Sequence, residues 1–260
     1  MSSFAHATQR RFIVITRSVI AELAPTGALR VAINLGNPVL AQRISESKLG
    51  GVSVALAEHL AKRLDLSLEL KAYDAAGKVF AALEQSGEWD LAFMAIDPVR
   101  SEQIAFTEPY VLIEGTYLVR ANSVAQTVAD LDKGGNRIAV GKGAAYDLYL
   151  TRNLEAADLV RAATSAAAID LFIDEHLDAV AGVRQPLERY CSENVGLRVL
   201  PDSFTQIQQA MGVPKERIQA ARFLQAFLNE HIQNGFIANA LSASGQTDVR
   251  IATVKVESSH

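Results

Sequence analysis

Arg100 is the residue in this sequence best suited to hold an anion. It stands just beyond the apolar run from Asp90 to Ile96, DLAFMAI, which reads as a buried strand. A guanidinium presents a planar fork of donors that grips a carboxylate bidentately, and partial burial strengthens the pair. An exposed arginine at a helix start is the ordinary alternative. Asp97 precedes Arg100 by three positions; it could pair with Arg100, or cap the helix that would follow Pro98. A second place for an anion is Lys142-Gly143-Ala144-Ala145, between the apolar run Ile138–Val140 and a helical pattern from Ala144 to Asn153. There the first N–H groups of a helix stand free and Gly143 allows close approach. Gly143 simply making a strand-to-helix turn is equally compatible with the spacing. Lys78 could contact a further anion, or be an exposed lysine in a first helical turn. Asn37, in LGNP, could hydrogen-bond a ligand or serve only as a turn residue.

The elements that must position these residues alternate between strand and helix. Leu29–Asn34 is a short apolar run closed by Gly36-Asn37-Pro38, and Gly51–Leu64 places Val52, Leu56, Leu60 and Leu64 on one helical face. Leu66–Ala72 alternates, Val79–Leu83 continues as helix, and 90–96 closes a βαβαβ unit, which implies a parallel sheet. Strands are expected at 113–119, 137–140, 177–183, 197–200 and 207–213. Helices are expected at 144–153, 166–175, 215–233 and 235–243. The repeated βα pattern thus reads as a second doubly wound lobe of about 100 residues, an ordinary domain size. In open parallel sheets ligands bind beyond the carboxyl ends of the strands, where Arg100 and Gly143 both fall.

Composition narrows the classes further. The 260 residues are 49% hydrophobic and 21% charged, enough for a large core. The 25 Lys+Arg against 29 Asp+Glu give a net charge of −4, whereas nucleic-acid binders carry a basic excess or stripe; no nucleic-acid partner is expected. Cys191 is the only cysteine, and no Cys/His set has zinc spacing, so neither a metal nor a cofactor is expected. No apolar run reaches the roughly 18 residues of a membrane span. Arg10-Arg11 followed by Phe12–Ile15 resembles the start of an export signal, but Thr16-Arg17-Ser18 interrupts it after four apolar residues, short of the roughly 7 to 15 such a signal needs. A helical extension over the first lobe is the alternative. His6, His59, His176, His231 and His260 are scattered and form no visible pair with Cys191 or a placed serine; His59 and His176 read as helix-surface residues.

The order LRVAI from Leu29, GVSVALA from Gly51, WDLA from Trp89, Arg100 with IAFTEPY ending at Tyr110, IAVGKG ending at Gly143, and LDAVA from Leu177 resembles the family 3 extracellular solute-binding proteins. These are receptors that deliver polar amino acids to ABC importers. The resemblance covers residues 26–246 and is most specific from Asp90 to Tyr110. It implies an α/β, two-lobed type II periplasmic-binding-protein fold, each lobe a mostly parallel sheet flanked by helices, joined by two crossover strands. Lobe 1 would be 26–112 plus 207–246 and lobe 2 would be 113–206, with an N-terminal extension 1–25 and a C-terminal tail 247–260. It further implies a monomeric, non-enzymatic, periplasmic receptor, a carboxylate-bearing ligand clasped by Arg100, and ABC permease subunits as partners.

The departures from that family bear on the ligand. Where relatives hold the ligand ammonium with an acid after the Asp-Ala motif, this chain has Gly182-Val183-Arg184. An ammonium buried there without an anion would be penalised by several kcal/mol, so an acid without a free α-amino group is expected. Asp97, Glu114 or the backbone carbonyl of Ala95 could compensate, while Lys78 and Arg184 would add positive charge for a dicarboxylate. Relatives carry hydroxyls where Ala144 and Ala145 stand, and an aromatic where Ala75–Gly77 stand. The fold also serves dehydratases on carboxylate substrates, for which Asp97 or Glu114 would be the proton donor; a ligand-sensing module is a further alternative.

Overall fold

The computed structural model describes residues 14–254; residues 10–13 of the signal-like stretch, His6 and His260 lie outside them. The chain begins with α1 (Arg17–Leu23), β1 (Ala28–Asn34), a hairpin of β2 (Gln42–Ser45) and β3 (Lys48–Gly50), α2 (Val52–Leu64), β4 (Ser67–Tyr73), α3 (Ala76–Ser86) and β5 (Leu91–Ala95). A 3-10 turn at Arg100–Glu102 leads to β6 (Ile104–Phe106) and the long β7 (Val111–Arg120). There follow β8 (Arg137–Gly141), α4 (Ala145–Asn153), β9 (Asp158–Ala162), α5 (Ser165–Asp174), β10 (Ala179–Val183), α6 (Arg184–Glu193) and β11 (Leu197–Val199). The long β12 (Thr205–Pro214), α7 (Ile218–Gln233), α8 (Phe236–Ala243) and β13 (Arg250–Ile251) complete it. No helix among the described residues is long and apolar enough to cross a membrane.

The two lobes repeat one pattern. β1 is parallel to β4 and β5, giving the order β4-β1-β5; β8 is parallel to β9 and β10, giving β9-β8-β10. β12 and β7 join them, and both are antiparallel to their neighbours. Gln209–Gly212 of β12 face Ala95–Ala92 of β5, while Thr205–Gln209 face Gly115–Val111 of β7. Val180–Val183 of β10 then face Leu118–Gly115 of β7. Two strands therefore cross between the lobes, which restricts relative motion to a hinge.

Packing and buried ion pairs hold the first lobe. α2 buries Val52, Leu56, Leu60 and Leu64 against β1 and β4, and ends with Asp65 in the left-handed region (φ 53°), its N–H returned to Ala61 and Lys62 carbonyls. α1 packs on α7 and is fixed by Glu22, whose carboxylate accepts from the Ala220 N–H at 2.8 Å. The fully buried Asp90 receives Arg30 at 2.7 Å and Arg217 at 2.8 Å. Burial pushes its carboxyl upward, but the two guanidiniums outweigh that and hold it below the ordinary range.

The histidines depart from expectation at one place. His176 is exposed at the end of α5, whereas His59 is half-buried, its Nδ1 lying 2.6 Å from Nε2 of the buried His231 on α7. A helix-surface reading of His59 fails because α7 and α8 cover that face of α2.

Candidate functional site

The residues brought together between the lobes come from the carboxyl ends of the strands, as the open-sheet rule requires. Asn37 follows β1, Ala75 follows β4, Ala95 ends β5 and Arg100 follows it; from the other lobe come Gly141 at the end of β8, Lys142, Ala144, Ala145 and Tyr146 after it, Ser165 after β9 and Val183 at the end of β10. Ile207 and Gln209 of β12 form the floor. They enclose a cavity of about 40 Å³, room for roughly three waters.

Arg100 dominates this cavity electrostatically. Its side chain is 1% exposed, with one Nη donating to the Ala95 carbonyl at 3.0 Å and the other to the Gly143 carbonyl of the opposite lobe at 2.8 Å. These use two of its five N–H donors, and no carboxylate among the described residues bonds it. Burial pulls its pKa down to about 10, partly offset by nearby Asp97, so the guanidinium stays cationic at neutral pH.

Asp97 does not pair with Arg100. One oxygen accepts from the Val99 N–H at 2.9 Å, the local capping role, and the other binds Arg152 of α4, across the cleft, at 2.7 Å. Asn37 is buried against the cavity, its Oδ1 accepting from the Val39 N–H at 3.3 Å. The Gly143 N–H donates to Asp147 at 2.8 Å and the Ala144 N–H to the Gly141 carbonyl at 3.1 Å. The Gly143 and Ala144 donors are thus occupied locally, and Ala145 and Tyr146 of the first turn of α4 line the cavity.

Three candidate residues lie apart from this constellation. Lys78 is exposed on α3, with Nζ 2.8 Å from Asp74. Arg184 binds Glu114 at 2.6 Å and donates to the Leu200 and Asp202 carbonyls at 3.0 and 2.8 Å. That arrangement ties α6 to both segments crossing between the lobes. None of Lys78, Glu114 and Arg184 lines the cavity around Arg100. Tyr146 does, its hydroxyl donating to Ser165 Oγ at 2.7 Å, whereas Tyr149 stacks on Phe204. Ser165, Gln209 and Arg152 escaped the sequence reading. For Ser165 the available signal was Thr164-Ser165 preceding an apolar helix, since the Thr164 side chain caps α5 by accepting from the Ala167 N–H.

Comparison with known proteins gives one family. The model of bacterial extracellular solute-binding proteins, family 3, matches residues 29–246. Among similar solved structures are a cysteine-binding protein from Campylobacter jejuni, at TM-score 0.77 and 18% identity over 90% of this chain and 99% of that one, and a mutant of ArgBP from T. maritima, at 0.75 and 22% over 87% and 99%. A third is an ancestral amino acid-binding protein described as a precursor of cyclohexadienyl dehydratase, at 0.72 and 21% over 86% and 98%. Comparison with curated protein sequences gives no match.

Proposed function

The chain belongs to the bacterial extracellular solute-binding proteins, family 3, and on that premise we propose that it is the periplasmic, monomeric receptor of an ABC importer. In this reading it binds a small carboxylate-bearing solute between a lobe formed by 26–112 with 207–246 and a lobe formed by 113–206, and hands it to permease subunits. The observation that carries the ligand reading is the fully buried, unpaired cation of Arg100. A buried charge without a counterion is strongly unfavourable, so an incoming carboxylate is favoured as the counterion that no described side chain provides. The first-turn N–H groups of Ala145 and Tyr146 are the second contact, from the other lobe. The chemistry is recognition, without turnover.

The same cavity disfavours an ammonium. Val183 stands where relatives carry an acid, Asp97 is committed to Arg152, Glu114 to Arg184, and the Ala95 carbonyl to Arg100. An acid without a free α-amino group therefore suits the site better than a zwitterion. Arg100→Ala tests the anchor. Truncating one partner of a buried charge pair costs about 2 to 5 kcal/mol, so calorimetry with a bound carboxylate should show at least roughly 30-fold weaker binding, with the unfolding midpoint of the apo protein retained. Unchanged affinity removes Arg100 from the site.

A further inference from the structure

Beside the Arg100 cavity lies a larger chamber of about 350 Å³, also between the lobes. The two share Gly36, Asn37, Tyr146, Ser165 and Val183 in their linings, so they adjoin along one border. The chamber walls are Leu35 and Pro38 from the first lobe and Ile169, Val183, Pro186 and Leu187 from the second. Its polar groups sit at that border or are engaged: Tyr146 with Ser165, the Thr164 hydroxyl with the Ala167 N–H, and the exposed Asp74 with Lys78. A space this apolar holds water poorly and rewards apolar ligand surface.

We infer that the ligand is a monocarboxylic acid with an apolar body, its carboxylate on Arg100 and its aliphatic or aromatic portion in this chamber. The inference rests on the reading of Arg100 as the carboxylate anchor and adds what the rest of the molecule must be. Charge balance decides against the other acids. A monoanion neutralises Arg100; a zwitterion brings back an uncompensated cation, and a dicarboxylate places its second anion among Leu35, Ile169 and Leu187, where the one lining carboxylate, Asp74, already holds Lys78. Neither surplus charge finds a free partner in the chamber. Burial of one methylene is worth about 0.8 kcal/mol, which is about fourfold in affinity.

The test is calorimetry on the full-length chain, refolded to strip bound solute, with acetate, butyrate, hexanoate, norleucine and adipate. The last three share one chain length and differ only in a hydrogen, an ammonium or a second carboxylate. Affinity should rise about fourfold per added methylene from acetate to hexanoate, and norleucine and adipate should bind at least about tenfold more weakly than hexanoate. Ile169→Ala should weaken hexanoate while leaving acetate unchanged, and the wild-type series stands alone if that variant folds poorly. Hexanoate no tighter than acetate, or adipate or norleucine matching hexanoate, overturns the inference. If the short acids bind and Arg100→Ala abolishes that binding, such a result leaves the carboxylate anchor standing; binding by none of the probes removes both.

Discussion

Arg152 and Asp97 form an ion pair that exists only when the lobes are together. Asp97 is buried and Arg152 is 39% exposed, at 2.7 Å, and the Arg100 hydrogen bond to the Gly143 carbonyl is the other polar contact bridging the cleft near the site. Opening the cleft would return Asp97 to water, so the pair biases the protein toward closure before any ligand arrives. With one partner half in solvent its worth is about 1 kcal/mol. Arg152→Ala should therefore shift the closed-to-open ratio of the ligand-free protein about fivefold toward open, read by energy transfer between dyes on the two lobes. An unchanged distance distribution would deny the pair that role. The same residues show how far a site can be read from sequence. Arg100 and the turn at Gly143 were legible because strand ends locate them. The partners of Lys78, Glu114 and Arg184 were not, since a long charged side chain takes whatever counterion folding brings near; Arg184 and Glu114 stand 70 positions apart. Nor does spacing reveal that Asp147 takes the Gly143 N–H.

Elements with strong apolar signatures were legible and weakly patterned ones were not. β1, β5, β7, β8 and β12 are central strands buried along most of their length, and their continuous apolar runs announce them. β9 is an edge strand of sequence DLVRA with a half-exposed pattern, and α6, RQPLERYCSE, buries only Leu187; tertiary placement decides such segments. The α2–α7–α8 junction is likewise invisible in sequence, yet it carries a pH dependence. His231 Nδ1 lies 2.6 Å from the Phe227 carbonyl, which can only accept, so that nitrogen holds the hydrogen and neutral His231 accepts at Nε2 from His59 Nδ1. Both imidazoles are held below their ordinary value, first by burial; Arg63 adds to this for each, while Glu230 opposes it. The unfolded chain thus takes up protons first as pH falls through about 6.5, and the stability contribution, whole above that value, declines below it. The urea midpoint should fall between pH 7.5 and 5.5, and the fall should be smaller in His59→Gln. An equal fall in that variant would place the dependence elsewhere.

At the scale of the molecule, function depends on two lobes whose approach is limited by backbone. Gly77 in the first turn of α3 and Gly143 after β8 meet directly across the cleft, and Gly143 adopts φ +72°. A Cβ on Gly77 would lie 2.9 Å from the Lys142 carbonyl oxygen and 3.2 Å from the Gly143 Cα, backbone atoms that cannot swing aside. With about 40 Å³ beside Arg100 in this closed arrangement, a ligand must enter while the cleft is open, and the two crossing strands β7 and β12 let it close again as a hinge. Saturating ligand should therefore lower the radius of gyration in small-angle scattering; identical curves would mean a receptor already closed. Gly77→Ala separates closure from folding. The added methyl obstructs only the closed form, at a penalty of about 1 to 3 kcal/mol typical of overpacking, so ligand should bind roughly tenfold more weakly and the ligand-bound radius should stay above that of wild type. The open lobes gain a residue better suited to a helix than glycine, so the unfolding midpoint without ligand should hold or rise slightly. Full compaction and wild-type affinity in Gly77→Ala would show that the lobes do not meet at Gly77 and Gly143 when ligand is bound.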